Sequence, residues 1–189
     1  MDQLNYLSLN NNRFSGQIPP TIGNMTNLIN LDMSSNRFTG DLPSTMINLH
    51  VLSSYDLSDN LFNGHIPDVL YDLTSLQSIK LSRNLITGMI SDSVTKLVHL
   101  EILDVSFNKL SNSLPNFLGS LTVLSTLSLT SNRLNGSVPE SIGSMAGLTK
   151  LELGFNSITS SIPLAIGCIT NLQGLSIESN RLSGSFPSA

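Results

Sequence analysis

Apolar positions fall at fixed places along this chain, and the places repeat every 24 residues. The stretch from Leu100 to Pro115, LEILDVSFNKLSNSLP, carries the pattern Leu100-x-x-Leu103-x-Val105-x-x-Asn108. Steps of 24 return Leu4, Leu28, Leu52, Leu76, Leu100, Leu124, Leu148 and Leu172. The same steps return Asn12, Asn36, Asn60, Asn84, Asn108, Asn132, Asn156 and Asn180, with no insertion or deletion. Within each unit two apolar residues flank one polar residue, as in Leu103 and Val105 or Leu127 and Leu129. That period of two predicts a short strand whose apolar pair faces inward and whose intervening residues face solvent. Eight parallel strands at ~4.8 Å spacing would form a sheet about 34 Å across. No single strand of this kind can bury its apolar face, so stacking of units must supply the core.

The rest of each unit predicts how the strand is left. An Asn where the chain turns away can bond its own turn and the adjacent unit, because its amide offers two donors and an acceptor. Eight stacked copies predict a buried ladder and argue against a catalytic role. Two residues later comes an inward column: Phe14, Phe38, Phe62, Ile86, Leu110, Leu134, Ile158 and Leu182. It is followed by G-x-I-P or a near relative, as in Gly16-Gln17-Ile18-Pro19 and Gly136-Ser137-Val138-Pro139. Gly permits the turn and Pro fixes the exit direction. Ser91 in place of Pro, and Asn112 and Ser160 in place of Gly, are expected to loosen single turns without moving the register. Tyr55 stands where an inward Leu is usual, so its hydroxyl is expected to find a partner or reach the edge of the core.

A fixed period of 24 with L-x-x-L-x-L-x-x-N matches the leucine-rich repeat signature. With the G-x-I-P segment added, the unit resembles the plant-specific class of leucine-rich repeats. That class forms ectodomains of receptor-like kinases and receptor-like proteins, and the polygalacturonase-inhibiting proteins. The resemblance covers essentially the whole chain. It implies an α/β leucine-rich repeat solenoid of about eight repeats, with a parallel β-sheet on the concave face. Short 3₁₀ or helical turns and extended segments are expected on the convex side. Residues 1–189 are expected to form one solenoid domain. Met1 falls in the column of Met25, Leu49 and Leu73, so the array is expected to start and stop inside a repeat. Missing caps should then bare apolar edges such as Leu4, Leu7, Leu175 and Ile177. The paired cap cysteines, membrane helix and kinase of the family have no counterpart in this sequence.

Composition narrows the function classes. Charged residues make up 12%, about half the ordinary share of roughly 25%, and Ser, Thr and Asn take their place. A net charge of −4 and a pI near 5.1 speak against nucleic acid, which wants clustered Lys and Arg. Cys168 is the single cysteine, so no intrachain disulfide can form. No apolar run reaches the ~18 residues that span a bilayer, and Met1-Asp2-Gln3 opens without the basic and apolar stretches expected of a signal peptide.

Catalytic chemistry needs convergent groups. His50, His65 and His99 occupy different columns of different units, and no His sits beside Cys168. There is no phosphate-binding loop, and His and Cys are too few for a zinc site. Ser34, Ser58, Ser82 and Ser106 repeat with the unit and read as solvated turns rather than nucleophiles. The chain is therefore read as not an enzyme, without cofactor or metal. Asn24-Met25-Thr26 and Asn135-Gly136-Ser137 match the N-glycosylation triplet, making Asn24 and Asn135 candidate glycan sites.

The outward columns of the strands are mostly small and polar, as at Ser8, Ser54, Ser78, Ser128 and Ser176. Exceptions gather in units four to seven: Lys80 and Arg83, then Ile102, Asp104 and Phe107, then Lys150, Glu152 and Phe155. Phe107 and Phe155 share one column two units apart, about 10 Å between backbones, with Ser131 between them. Two aromatic walls over a small-residue floor, with Arg nearby, are what binding hot spots favour. The plainer reading is that each Phe folds over its neighbours. The resemblance implies a module binding a protein, peptide or small ligand on the concave face, within a receptor's extracellular domain. A co-receptor or assembly neighbours would meet its ends, with no nucleic acid and no membrane contact by the segment itself. A structural subunit of a larger assembly and a secreted enzyme inhibitor are the competing readings. The location implied is extracellular, or at the plasma membrane through regions outside this chain, with an intracellular one left open.

Overall fold

A computed structural model describes residues 3–187; the column assignment of Met1 and the limit at Ala189 lie outside them. Eight three-residue strands form one parallel sheet in sequence order: Tyr6–Ser8, Asn30–Asp32, Ser54–Asp56, Ser78–Lys80, Ile102–Asp104, Thr126–Ser128, Lys150–Glu152 and Gly174–Ser176. Their register is the repeat itself, Leu103 facing Leu127 and Leu127 facing Leu151. The inward column is sealed from Leu31 to Leu151, whereas Leu7 and Leu175 are half-buried. Leu4 is exposed and Ile177 half-buried.

Behind this sheet the chain pairs again, with a different register. Ser15 faces Arg37, Ser111 faces Arg133 and Thr159 faces Arg181, so partners here stand 22 residues apart rather than 24. Short 3₁₀ turns then close each unit, as at Ser44–Asn48, Asn116–Ser120 and Glu140–Ser144. Each such turn sinks at least one apolar residue into the core, among them Met46, Leu118 and Ile142, and the turn at Asp68–Asp72 sinks both Leu70 and Tyr71. A Pro ahead of most of these turns has the extended backbone that opens a helix without needing its own N–H. Ser91 replaces that Pro in the fourth unit, and its Oγ accepts the Ser93 amide at 3.3 Å. The substitution exchanges a rigid entry for a side-chain cap.

The Asn ladder forms, but it is buried only at Asn60, Asn84 and Asn108, with Asn36, Asn132, Asn156 and Asn180 half-buried toward the ends of the array. Asn108 Nδ2 donates to the carbonyls of Val105 and Ser106 in its own turn and to Leu81 of the preceding unit. Its Oδ1 accepts the Ile86 amide at 2.9 Å. Asn60 and Asn84 repeat the set and, like Asn108, are buried. Asn12 is exposed, and among the described residues its side-chain amide bonds only its own turn, at Leu9 and Asn10. Beside the ladder Phe14, Phe38 and Phe62 stack with ring centroids 6.1 Å apart.

Three sequence expectations are corrected. Asn112 and Ser160 do not loosen their turns: both take the left-handed backbone of the glycines they replace, at φ 73 and 69, and pair in the same register. The Tyr55 hydroxyl neither reaches the core edge nor finds a partner among the described residues. Strand register locks its ring between Leu31 and Ile79, and that position is fully enclosed. Ser106 is buried rather than solvated, because its hydroxyl turns onto Asp104 at 2.6 Å.

Candidate binding face on the concave sheet

Sheet alternation sets the concave face, with residues of the central strand position inward and their neighbours outward. Just beyond each strand the chain makes a left-handed turn at one residue, so Asp59, Arg83, Phe107, Ser131 and Phe155 share a column of positive φ. Their amides are fixed on the next unit: Phe107 donates to Thr130 at 2.7 Å and Phe155 to Glu178 at 2.9 Å. The turns are therefore rigid platforms for the side chains they carry.

The structure brings part of the predicted set together. Arg83 lies over the Phe107 ring with its guanidinium carbon 4.5 Å from the centroid, a cation–π arrangement. Its other side is engaged by Asp59, 3.7 Å away. Asp59, Arg83 and Phe107 thus form a row across three units. Phe107 is 43% exposed and Phe155 53% exposed, with half-buried Ser131 between them. The plainer reading holds only in part, since Phe107 has a cation above it while its ring keeps an open side.

The remaining candidates are mostly occupied with one another. Lys80 stands 3.7 Å from Asp56 of the preceding strand. Lys150 bonds Glu152 at 2.8 Å, and Ser128 donates to the same carboxylate at 2.8 Å. Burial alone would raise the Glu152 carboxyl, but the hydrogen bonds from Lys150 and Ser128 and the Lys150 charge outweigh it and hold the group below its usual range. Asp104 accepts the amide and hydroxyl of Ser106, which is a turn-forming role shared by Asp32 with Ser34. Ile102 is half-buried in the outward column. Sequence reasoning passed over Asp56 and Asp59, whose partners sit one unit on. It also missed Tyr6, 61% exposed in the column of Ile102 and Lys150; counting aromatics along that column would have found it.

Off the sheet, a groove of about 800 Å³ runs along units five to seven, lined by Ser113, Pro115, Gly136, Ser137, Pro139 and Ser161 among others. Its walls are small residues and backbone with no convergent charged set, so the concave face remains the stronger candidate. Asn24 and Asn135 are both exposed, at the ends of a 3₁₀ turn and of a rear strand. Among the described residues no group of three or more His, Cys, Asp or Glu could hold a metal ion. No helix there is long and apolar enough to cross a membrane.

Models of the leucine rich repeat match residues 3–25, 27–49, 56–110 and 122–182. The chain is similar to the solved structure of PEPR1 with AtPEP1, at 35% identity and TM-score 0.92 over 96% of this chain and 26% of that one. It is similar to the ectodomain of the Arabidopsis receptor kinase HAESA with an extended IDA peptide hormone, at 36% identity and TM-score 0.91 over 95% of this chain and 30% of that one. A chain of the complex of HAESA, IDA and the co-receptor SERK1 matches at 26% identity and TM-score 0.73, over 98% of this chain and 39% of its own length. The chain therefore spans well under half the length of each of these three structures. Among curated proteins no match is found.

Proposed function

We propose, from the premise that this chain belongs to the leucine-rich repeat family in its 24-residue plant form, that it is part of a receptor's extracellular domain and binds a peptide on its concave sheet. The observation that carries this is the pair of exposed rings, Phe107 and Phe155, on rigid turns either side of Ser131. Aromatic anchors on a fixed backbone lose little freedom on binding. In this reading the two rings clamp an apolar side chain of the peptide over Ser131. Arg83, held upright between Asp59 and Phe107, offers its free edge to a carboxylate. Lys80, Ile102, Asp104, Lys150 and Glu152 form the polar floor that sets register along the units. Support comes from PEPR1 and HAESA, whose solved structures hold AtPEP1 and IDA. A co-receptor would meet one end of the array; that a co-receptor is engaged at all is supported by the HAESA complex, which contains SERK1. Glycans on Asn24 and Asn135 would project from outside the sheet and leave it open.

The reading is tested by selecting peptides on the purified chain from a displayed random library. Titration against the double variant Phe107→Ser/Phe155→Ser should weaken the selected peptides tenfold or more, with the thermal melt unchanged. Equal affinity for both proteins would remove the concave site from these residues.

A further inference from the structure

The cations of this chain divide into two groups. Lys80, Arg83, Lys96 and Lys150 each have a carboxylate within 4.0 Å, at Asp56, Asp59, Asp72 and Glu152. The other five of the nine are Arg13, Arg37, Lys109, Arg133 and Arg181. None of these five has an ion-pair partner among the described residues. All five stand in one column, the position directly after the ladder Asn, which contains no acidic residue. Four are exposed and Lys109 is half-buried. In a protein of net charge −4, this is a separate basic strip on the flank where the chain leaves the concave sheet.

The strip is both rigid and interrupted. Beyond the first unit its backbone is pinned to the preceding unit by amide bonds, Arg37 to Phe14, Leu85 to Phe62, Lys109 to Ile86 and Arg133 to Leu110, each at 2.8 Å. In units three and four the column holds Leu61 and Leu85, exposed at 46% and 37%. The order along the flank is thus Arg13, Arg37, Leu61, Leu85, Lys109, Arg133. Five steps of ~4.8 Å give about 24 Å, the reach of roughly seven extended residues.

We propose that this flank is a second binding surface, for an extended acidic segment of a partner protein that carries apolar residues between its carboxylates. Charge complementarity selects an acidic partner, since unpaired cations on one face attract and orient it. The two leucines select a peptide over an anionic polysaccharide. A uniformly charged polymer would lay sugar carboxylates over Leu61 and Leu85 with nothing to pair them, whereas a peptide can place Leu or Val there. The surface is distinct from the concave site and does not depend on it.

The probe is a fluorescent eight-residue peptide with two Asp at each end and Leu residues between, titrated against the whole chain by anisotropy at low salt. Alginate serves as the polysaccharide competitor. Binding should weaken tenfold or more in Arg37→Gln/Lys109→Gln and, separately, in Leu61→Ser/Leu85→Ser. It should also fall as salt rises, and it should be unchanged in Phe155→Ser. None of these side chains lies in the buried core, and circular dichroism melts would check that each variant folds. No binding by the peptide, binding indifferent to the leucine pair, or alginate competing at equal charge concentration would each overturn the proposal.

Discussion

Asn108 holds Ile86 in place across a unit boundary, its Oδ1 accepting the Ile86 amide at 2.9 Å while its Nδ2 serves three carbonyls. A Leu at this position fills the space but leaves those buried groups unpaired. Asn108→Leu is expected to lower stability by about 1–3 kcal/mol. Asn12→Leu should do much less, because Asn12 is exposed and its side chain bonds only its own turn among the described residues. Urea melts of the two variants make the comparison, and equal midpoints would mean the bridge between units contributes nothing.

Tyr55 carries the opposite kind of defect, a buried hydroxyl without a partner among the described residues. Removing it should be neutral or stabilising by about 1 kcal/mol, in contrast to most core substitutions. Tyr55→Phe melting at or above the wild type is the expected result. A clear loss of stability would reveal a partner for that oxygen.

The same burial makes the array sensitive to base. Enclosure, and then the nearby Tyr71, push the Tyr55 phenol above its ordinary range; enclosure, and then Asp68, do the same to Tyr71. The folded chain therefore keeps protons that the unfolded chain releases near pH 10. The stability linked to these groups is whole below that pH and is lost as pH rises beyond it. Urea midpoints between about pH 9 and pH 11 should fall more steeply in the wild type than in Tyr55→Phe/Tyr71→Phe.

Ser160 sits at φ 69 where most units place Gly. A side chain in that region is disfavoured by roughly 1–2 kcal/mol, so Ser160→Gly should raise the thermal midpoint. Asn112→Gly should gain less, because Asn tolerates the left-handed region. A lowered midpoint in Ser160→Gly would show that the hydroxyl contributes more than the backbone strain removes.

What repeats was legible, because each column is seen eight times and the physics of one unit is the physics of all. The strands, the ladder and the rear Gly turns follow from that arithmetic. What happens once was not legible. The stacking of Arg83 on Phe107 depends on two neighbours in one turn column, and the side-chain cap at Ser91 replaces a Pro that the pattern expected. Tyr55 was singled out correctly, but its hydroxyl was placed by a general rule that full enclosure overrides. Exceptional residues mark the candidate face in the sequence, whereas Asp56 and Asp59 are common in kind and carry no such mark, although they pair with Lys80 and Arg83.

The ladder also determines how the array responds to tension. Asn60, Asn84 and Asn108 each bind the unit behind them and none farther back. Pulled from its ends, such a chain yields by peeling, one coil at a time, and each released coil of 24 residues adds about 80 Å of slack. Its resistance is set by the weakest single junction rather than by the sum of all of them.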